Sequence, residues 1–231
     1  MKIPEKSDLE NEDERYLYEK DTDKLENFIA MNRINKIIEL TEKFSSGKRA
    51  LDVGCAQGNI STLLAERGFD VTALDLNKDF LGYAKKKREF GKISYVHGNA
   101  LEVSFKGKFD AIILGELIEH VAYPEKLLNR MKRHLTKEGI IIITTPNNHL
   151  FLGLLSGNKP ELFSKIRDRR NFMKKQFGPA GKDHLFVFNI ADLNKLVKDQ
   201  EFKILDSGYI NSIFPLIKNK FSTSLYIVAK K

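Results

Sequence analysis

Cysteine is almost missing from this chain of 231 residues: Cys55 is the only one. No intrachain disulfide can form, which fits a reducing, cytoplasmic compartment better than a stapled secreted domain. Long apolar stretches are missing as well. Runs such as Ala111 to Leu114 and Ile140 to Ile143 fall far short of the roughly 20 residues that span a bilayer. The opening Met1-Lys2-Ile3-Pro4-Glu5-Lys6 has no apolar core of a signal segment. Neither an internal repeat nor a low-complexity tract is present. A composition 42% hydrophobic and 30% charged excludes a disordered chain, and the length suits one domain with a full core.

Two phosphate-binding signatures are also lacking. Ala50-Leu51-Asp52-Val53 reads as a buried strand running into the turn Gly54-Cys55-Ala56-Gln57-Gly58, and a helix follows from Asn59. A dinucleotide fingerprint needs G-x-G-x-x-G, but position 56 is alanine and position 61 is serine. A P-loop needs Gly-Lys-Ser/Thr, but Gly58 is followed by Asn59 and Ile60. The turn is therefore not built to wrap a pyrophosphate or triphosphate. Seventeen residues after Gly58, the apolar run Val71 to Leu74 ends in Asp75. A strand, a glycine turn, a helix and a second strand ending in an acid make a nucleoside-binding half-fold. With no phosphate cradle, it suits an adenosine whose 5′ substituent is not a phosphate, with Asp75 accepting from the ribose hydroxyls. The bland alternative is a generic βαβ unit with a tight turn. Cys55, inside that turn, reads as a small packed residue rather than a nucleophile.

The rest of the chain alternates strands and helices. Strands are expected at 49–54, 70–75, 93–97, 110–115, 139–145, 203–210 and 222–229. Helices are expected up to about Phe44 and at 59–67, 78–88, 124–134 and 190–199, with Pro124 suited to a first turn. Such alternation predicts an α/β fold, a mostly parallel sheet with helices on both faces. Too little chain separates the last two strands for a helical crossover, so the seventh should be antiparallel. Residues 1–45 read as an N-terminal helical lid and 46–231 as the main domain, with an insertion at about 147–189 on the ligand side of the sheet.

These residues resemble the class I S-adenosylmethionine-dependent methyltransferases from about residue 28 onward. Leu51 to Gly58 is similar to their first motif and Leu74-Asp75 to their ribose-binding acid. Gly98-Asn99-Ala100 is similar to the loop bordering adenine, Phe109 to Ile113 to the fourth strand, and Leu135 to Gly139 to the approach to the fifth. The resemblance implies a Rossmann-like seven-stranded sheet of order 3-2-1-4-5-7-6. It implies that S-adenosyl-L-methionine is held by Asp52, Gly54, Ala56, Gly58, Asp75 and Leu76. Asn99 and Ala100 would complete its adenine end. A narrower resemblance is to the ubiquinone-biosynthesis O-methyltransferases. Arg33-Ile34-Asn35, placed twenty-one residues before Gly54, is similar to their Arg-Ile-Asn, whose arginine lies against the cofactor. Gly115-Glu116-Leu117-Ile118-Glu119-His120-Val121 is similar to their E-x-x-E-H-V segment. That likeness puts Gly115 against the methionine part of the cofactor and implies that Glu116, Glu119 and His120 hold a divalent cation.

The chemistry fits these residue types. Methyl transfer asks mainly for alignment and exclusion of water, and an oxygen acceptor must also lose a proton. His120 can take that proton near neutral pH, which makes it the candidate catalytic residue. If the chain turns helical after the fourth strand, positions 116, 119 and 120 share a face and can bind Mg or Zn. The alternative is that the glutamates contact ligand or backbone and the histidine orders a loop end. His184, and Tyr16, Tyr18 and Tyr123, are further candidates around the acceptor.

The net charge of +8 is uneven. Residues 1–26 hold ten acids and five bases, whereas 156–183 hold eight bases and three acids. Apolar Leu150 to Leu155 followed by basic residues suits peripheral contact with an anionic membrane and a lipid-like acceptor; a solvated surface is the plain alternative. RNA is a third partner class, with no recognisable RNA-binding module to support it. The function read from the sequence is methylation of a small-molecule or lipid-like acceptor, at oxygen. The alternatives are an RNA methyltransferase and a cofactor-binding regulatory protein without turnover. The oligomeric state is not legible.

Overall fold

The computed structural model describes residues 24–87, 91–147, 185–186, 188–212 and 222–231. Tyr16, Tyr18, His184 and nearly all of the basic insertion lie outside the described residues.

Seven strands form one sheet: β1 (Arg49–Val53), β2 (Asp70–Asp75), β3 (Lys92–His97), β4 (Phe109–Gly115), β5 (Leu135–Pro146), β6 (Lys203–Ser212) and β7 (Ser222–Lys230). Their order is 3-2-1-4-5-7-6. Strands β1 to β5 pair in parallel, and β7 runs antiparallel to both β5 and β6. Among the described residues the helices are α1 (Lys24–Phe44), α2 (Asn59–Glu66), α3 (Lys78–Lys87), α4 (Pro124–His134) and α5 (Ile190–Asp199).

Alternation along each strand divides the core in two. Leu51, Val53, Ile112, Leu114, Ile141 and Ile143 face α4 and α5. Their neighbours Ala50, Ala111, Ile113, Ile140 and Ile142 face α1, α2 and α3. Both sets are buried, which is why the central strands carry near-continuous apolar runs. Ile34, Ile37, Ile38 and Leu40 of α1 belong to the second core, so the described part of the N-terminal segment is a layer of the domain. Pro124 opens α4 in its first turn, and the Asn189 side chain caps α5 by accepting from Asp192 N.

One boundary differs from the sequence reading. β5 starts at Leu135, directly from α4, rather than at 139. Thr136, Lys137 and Glu138 resemble a polar turn, yet they extend the strand beyond a register shift between Phe109 and Ala111 of β4. Gly139 permits the irregularity, because a Cβ there would sit 2.9 Å from Phe109 O.

The parallel strands carry Val53, Asp75, His97, Gly115 and Pro146 to one edge of the sheet. That carboxyl-end edge is where open α/β sheets bind ligands.

Candidate cofactor and acceptor site

The turn after β1 passes through three left-handed residues: Gly54 (φ 71°), Ala56 (φ 45°) and Gly58 (φ 77°). At Gly54 the space is as demanding as the dihedral, since a Cβ would lie 2.9 Å from Leu117 Cδ1. Ala56 is an L-residue in a conformation that costs on the order of 1–2 kcal/mol. It is held there by its own N–H, which donates to Asp75 Oδ2 at 2.8 Å. Gly54 N and Cys55 N both donate to Leu74 O, which locks the turn onto the end of β2. Cys55 is buried, and burial pushes its thiol far up, so it is no nucleophile.

Asp52 lies beneath this turn and is 1% exposed. Its Oδ2 accepts from Ser61 Oγ at 2.6 Å, tying β1 to the first turn of α2. Burial raises its pKa to about 6 against 3.8 when free, with the Asp75 charge adding to the rise. The folded state therefore holds this proton more tightly than the unfolded chain does. The resulting stabilisation is complete below about pH 4 and is lost as pH rises through about 6. The difference corresponds to about 3 kcal/mol at neutral pH. Asp52→Asn keeps an acceptor for Ser61 and removes the titration. It is expected to be more stable than the parent at pH 7.5 but not at pH 4, as measured by urea unfolding at both. An identical pH dependence in the two proteins would remove Asp52 as its source.

Asp75 is half-buried at the end of β2. Its two oxygens accept from Ala56 N and Asn77 N, each at 2.8 Å, and each keeps a lone pair for a ribose hydroxyl. Burial raises its pKa, opposed by those backbone N–H groups. Leu76, the next residue, is a large apolar side chain left 56% exposed at the site, a surface suited to a flat base. Gly98 N donates to Asp75 O at 3.0 Å, so the loop after β3 is fastened to the same strand end. In that loop the Asn99 amide is engaged locally, accepting from Leu101 N and donating to Glu102 Oε1. Ala100 packs against the core cluster beneath it.

On the acceptor side, Gly115 ends β4. A Cβ there would meet Ile60 Cδ1 at 3.0 Å and Ile37 Cδ1 at 3.5 Å, so the missing side chain lets α1 and α2 pack close against the strand end. Arg33, one turn of α1 before Ile37, reaches within 4.0 Å of Glu116 Oε2. The sequence-predicted Arg33, Gly54, Asp75 and Gly115 are thus brought to one sheet edge.

The three residues expected to hold a cation do not lie on one helix. Glu116 takes a left-handed φ of 49°, its N–H donating to Thr144, and the chain then makes a single 3₁₀ turn over Ile118–His120. No continuous helical face carries the three side chains. Glu119 is 1% exposed, and its Oε2 accepts from Thr145 Oγ1 at 3.0 Å. Burial, reinforced by the Glu116 charge, pushes its carboxyl up to about 8. His120 is 42% exposed, with Nε2 4.0 Å from Glu119 Oε1. Among the described residues, no group of three His, Cys, Asp or Glu side chains is arranged to hold a metal ion.

Other residues had no signal in the sequence. Ser61 and Thr145 each donate to a buried carboxylate, and Leu117 fills the space over Gly54. The Glu119 carbonyl accepts from Leu185 N and Phe186 N, which anchors the returning end of the insertion. Tyr123 stands at the start of α4 with Lys126 Nζ 4.3 Å from its ring centre.

The family model described as a methyltransferase domain matches residues 27–207. The chain belongs to the methyltransferase-domain family. This methyltransferase domain is 28% identical over 163 residues to the ubiquinone biosynthesis O-methyltransferase of Psychrobacter cryohalolentis, covering 68% of this chain and 60% of that one. It is 30% identical over 167 residues to the mitochondrial ubiquinone biosynthesis O-methyltransferase of Schizosaccharomyces pombe, covering 70% and 57%. The chain thus spans about 60% of the length of the curated relatives it matches. Among solved structures, it is similar in fold to magnesium protoporphyrin IX methyltransferase of Synechocystis PCC 6803 with bound SAH. That likeness has a TM-score of 0.65 at 16% identity, over 89% of this chain and 84% of that one. Gly54, Gly58, Asp75 and the exposed Leu76 fit S-adenosylmethionine: the glycines allow the left-handed turn beside the strand end, and Asp75 offers ribose acceptors.

Proposed function

We propose that this protein transfers a methyl group from S-adenosylmethionine to an oxygen atom of a small-molecule acceptor. One observation supports the reading: the Gly54–Gly58 turn with Asp75, and Gly115 with Arg33 near Glu116, lie at the same sheet edge. The names of the two relatives, both ubiquinone biosynthesis O-methyltransferases, support oxygen as the target atom.

When bound, S-adenosylmethionine supplies a sulfonium methyl group that leaves in line with the attacking atom. The chain's own work is placement and proton handling. Asp75 fixes the ribose, the Gly54 turn keeps the chain clear of it, and Arg33 offers positive charge toward the carboxylate end. His120 accepts the proton that the acceptor hydroxyl releases. Helix α1, a layer of the core, brings Arg33 within 4.0 Å of Glu116 at the sheet edge.

The test is product formation. The purified chain, S-adenosylmethionine and a panel of phenolic, lipid-soluble and RNA acceptors are incubated, and release of S-adenosylhomocysteine is measured beside a mass gain of one methyl group. Turnover on a phenol is the expected result. Binding without turnover on any acceptor would identify a regulatory binder, and turnover on RNA alone would reassign the substrate.

A lipid-like acceptor is supported by the apolar-then-basic composition of residues 150–182. No described helix is long and apolar enough to cross a membrane, so contact would be peripheral. Vesicles with anionic lipid are expected to sediment more protein than neutral ones at low salt. Equal partitioning would remove the membrane from the proposal.

A further inference from the structure

The loop between β3 and β4 connects two things that the sequence treats separately: the nucleoside site and helix α4. At its start, Gly98 N donates to Asp75 O, and Glu102 N and Val103 N both return to Asn99 O at 2.9 Å, closing a single turn. Such a turn is too short to pair its own last carbonyls. They are met from outside. Arg130, on α4, donates through Nε to Val103 O at 3.2 Å and through Nη2 to Val103 O, Glu102 O and Ser104 Oγ. Further along, the Phe105 ring sits edge-on to both Phe109 (5.4 Å) and His134 of α4 (5.2 Å). The loop is therefore clamped to α4 at two places, while its first residues hang from the strand end that carries Asp75.

We propose that Arg130 is a positioning residue that sets the adenine end of the cofactor site by holding the 98–104 turn against β2. The inference rests on the cofactor reading above. A ribose bound at Asp75 puts its base beside Leu76 and the backbone of this turn, since these are what flank that strand end. Arg130 touches neither the base nor the reacting atoms; it acts through the loop. The planar guanidinium meets neighbouring acceptors in one fixed geometry, which a lysine ammonium cannot reproduce. Neutral loss of Arg130 leaves Glu102 and Val103 carbonyls without a donor, and the turn can relax away from the base.

The test is calorimetry on the full chain with S-adenosylhomocysteine and with its inosine analogue, which differs only at the purine edge. The parent is expected to prefer the adenine ligand. Arg130→Met is expected to weaken S-adenosylhomocysteine about tenfold and the inosine analogue much less, so that the preference shrinks. In turnover, KM for S-adenosylmethionine rises while kcat at saturation stays within about twofold. Arg130→Lys, which keeps the stem and charge, falls between the two and carries the same comparison should the methionine variant not fold. Equal weakening of both ligands marks a general effect on stability and overturns the proposal, as does no weakening at all. A parent that binds the two purines alike shows that the turn does not read the base, which also overturns it. A parent that binds neither ligand refutes the cofactor reading instead.

Discussion

Asp75→Ala is expected to weaken S-adenosylmethionine about 100-fold. A carboxylate that accepts from two ribose hydroxyls makes charge-assisted bonds, each worth about 1.5–3 kcal/mol where water is excluded, and this site is only half-buried. A total of about 3 kcal/mol is therefore reasonable, and it corresponds to roughly two powers of ten. The substitution also frees Ala56 N and Asn77 N, which donate to this carboxylate. Ala56 then loses the bond that holds its φ at 45°, and the turn loosens with it. Asp75→Asn keeps one acceptor and should lose less, about tenfold. The pH dependence separates ribose binding from turn stability. Burial raises the Asp75 pKa, and ribose donors favour the ionised form. Affinity in the parent should therefore fall as pH drops through that raised pKa, and Asp75→Asn should be flat over the same range. Titration calorimetry of both proteins over a pH series from acid to neutral reads this directly. Unchanged affinity in Asp75→Ala would move the ribose elsewhere.

The features most legible in the sequence are those where one residue type is the only workable choice. Gly54 and Gly58 stand out because the chain turns left-handed there, and the apolar runs of β1, β4 and β5 stand out because both their faces are covered. The strand order rested on the ordered set of motifs rather than on any single one, and the sheet has that order. Legibility ends where an unremarkable residue takes an unusual conformation. Glu116 gives no hint that its φ is 49°, yet that dihedral divides Glu116-Leu117-Ile118-Glu119-His120 into a kink and a 3₁₀ turn. A helical reading of the same letters puts three side chains on one face; the real backbone sends Glu119 into the core and His120 out of it. Partners far apart in the chain are equally hidden. Thr145 looks like the end of an apolar strand until it meets Glu119, and Arg130 looks like one more base on a polar helix face until it meets the 98–104 turn.

His120→Ala is expected to lower kcat about 100-fold or more on a hydroxyl acceptor, with KM for S-adenosylmethionine nearly unchanged. The side chain stands at the sheet edge beyond Gly115 and is half-exposed, so it is open to a ligand rather than packed away. Its neighbour Glu119 has Oε1 4.0 Å from Nε2, and burial pushes that carboxyl's pKa up. The two roles open to His120 give different kinetics. A base that removes the acceptor proton matters less when the acceptor is already acidic. The loss in His120→Ala should therefore shrink across a series of phenols of falling pKa, and a phenol ionised at the assay pH should be turned over at close to the parent rate. A histidine that only orders the loop end lowers the rate by the same factor for every phenol and lowers the melting temperature with it. Steady-state kinetics on three phenols, with one thermal scan of each protein, decides between them. A uniform loss would leave methyl transfer in place and take the proton away from His120.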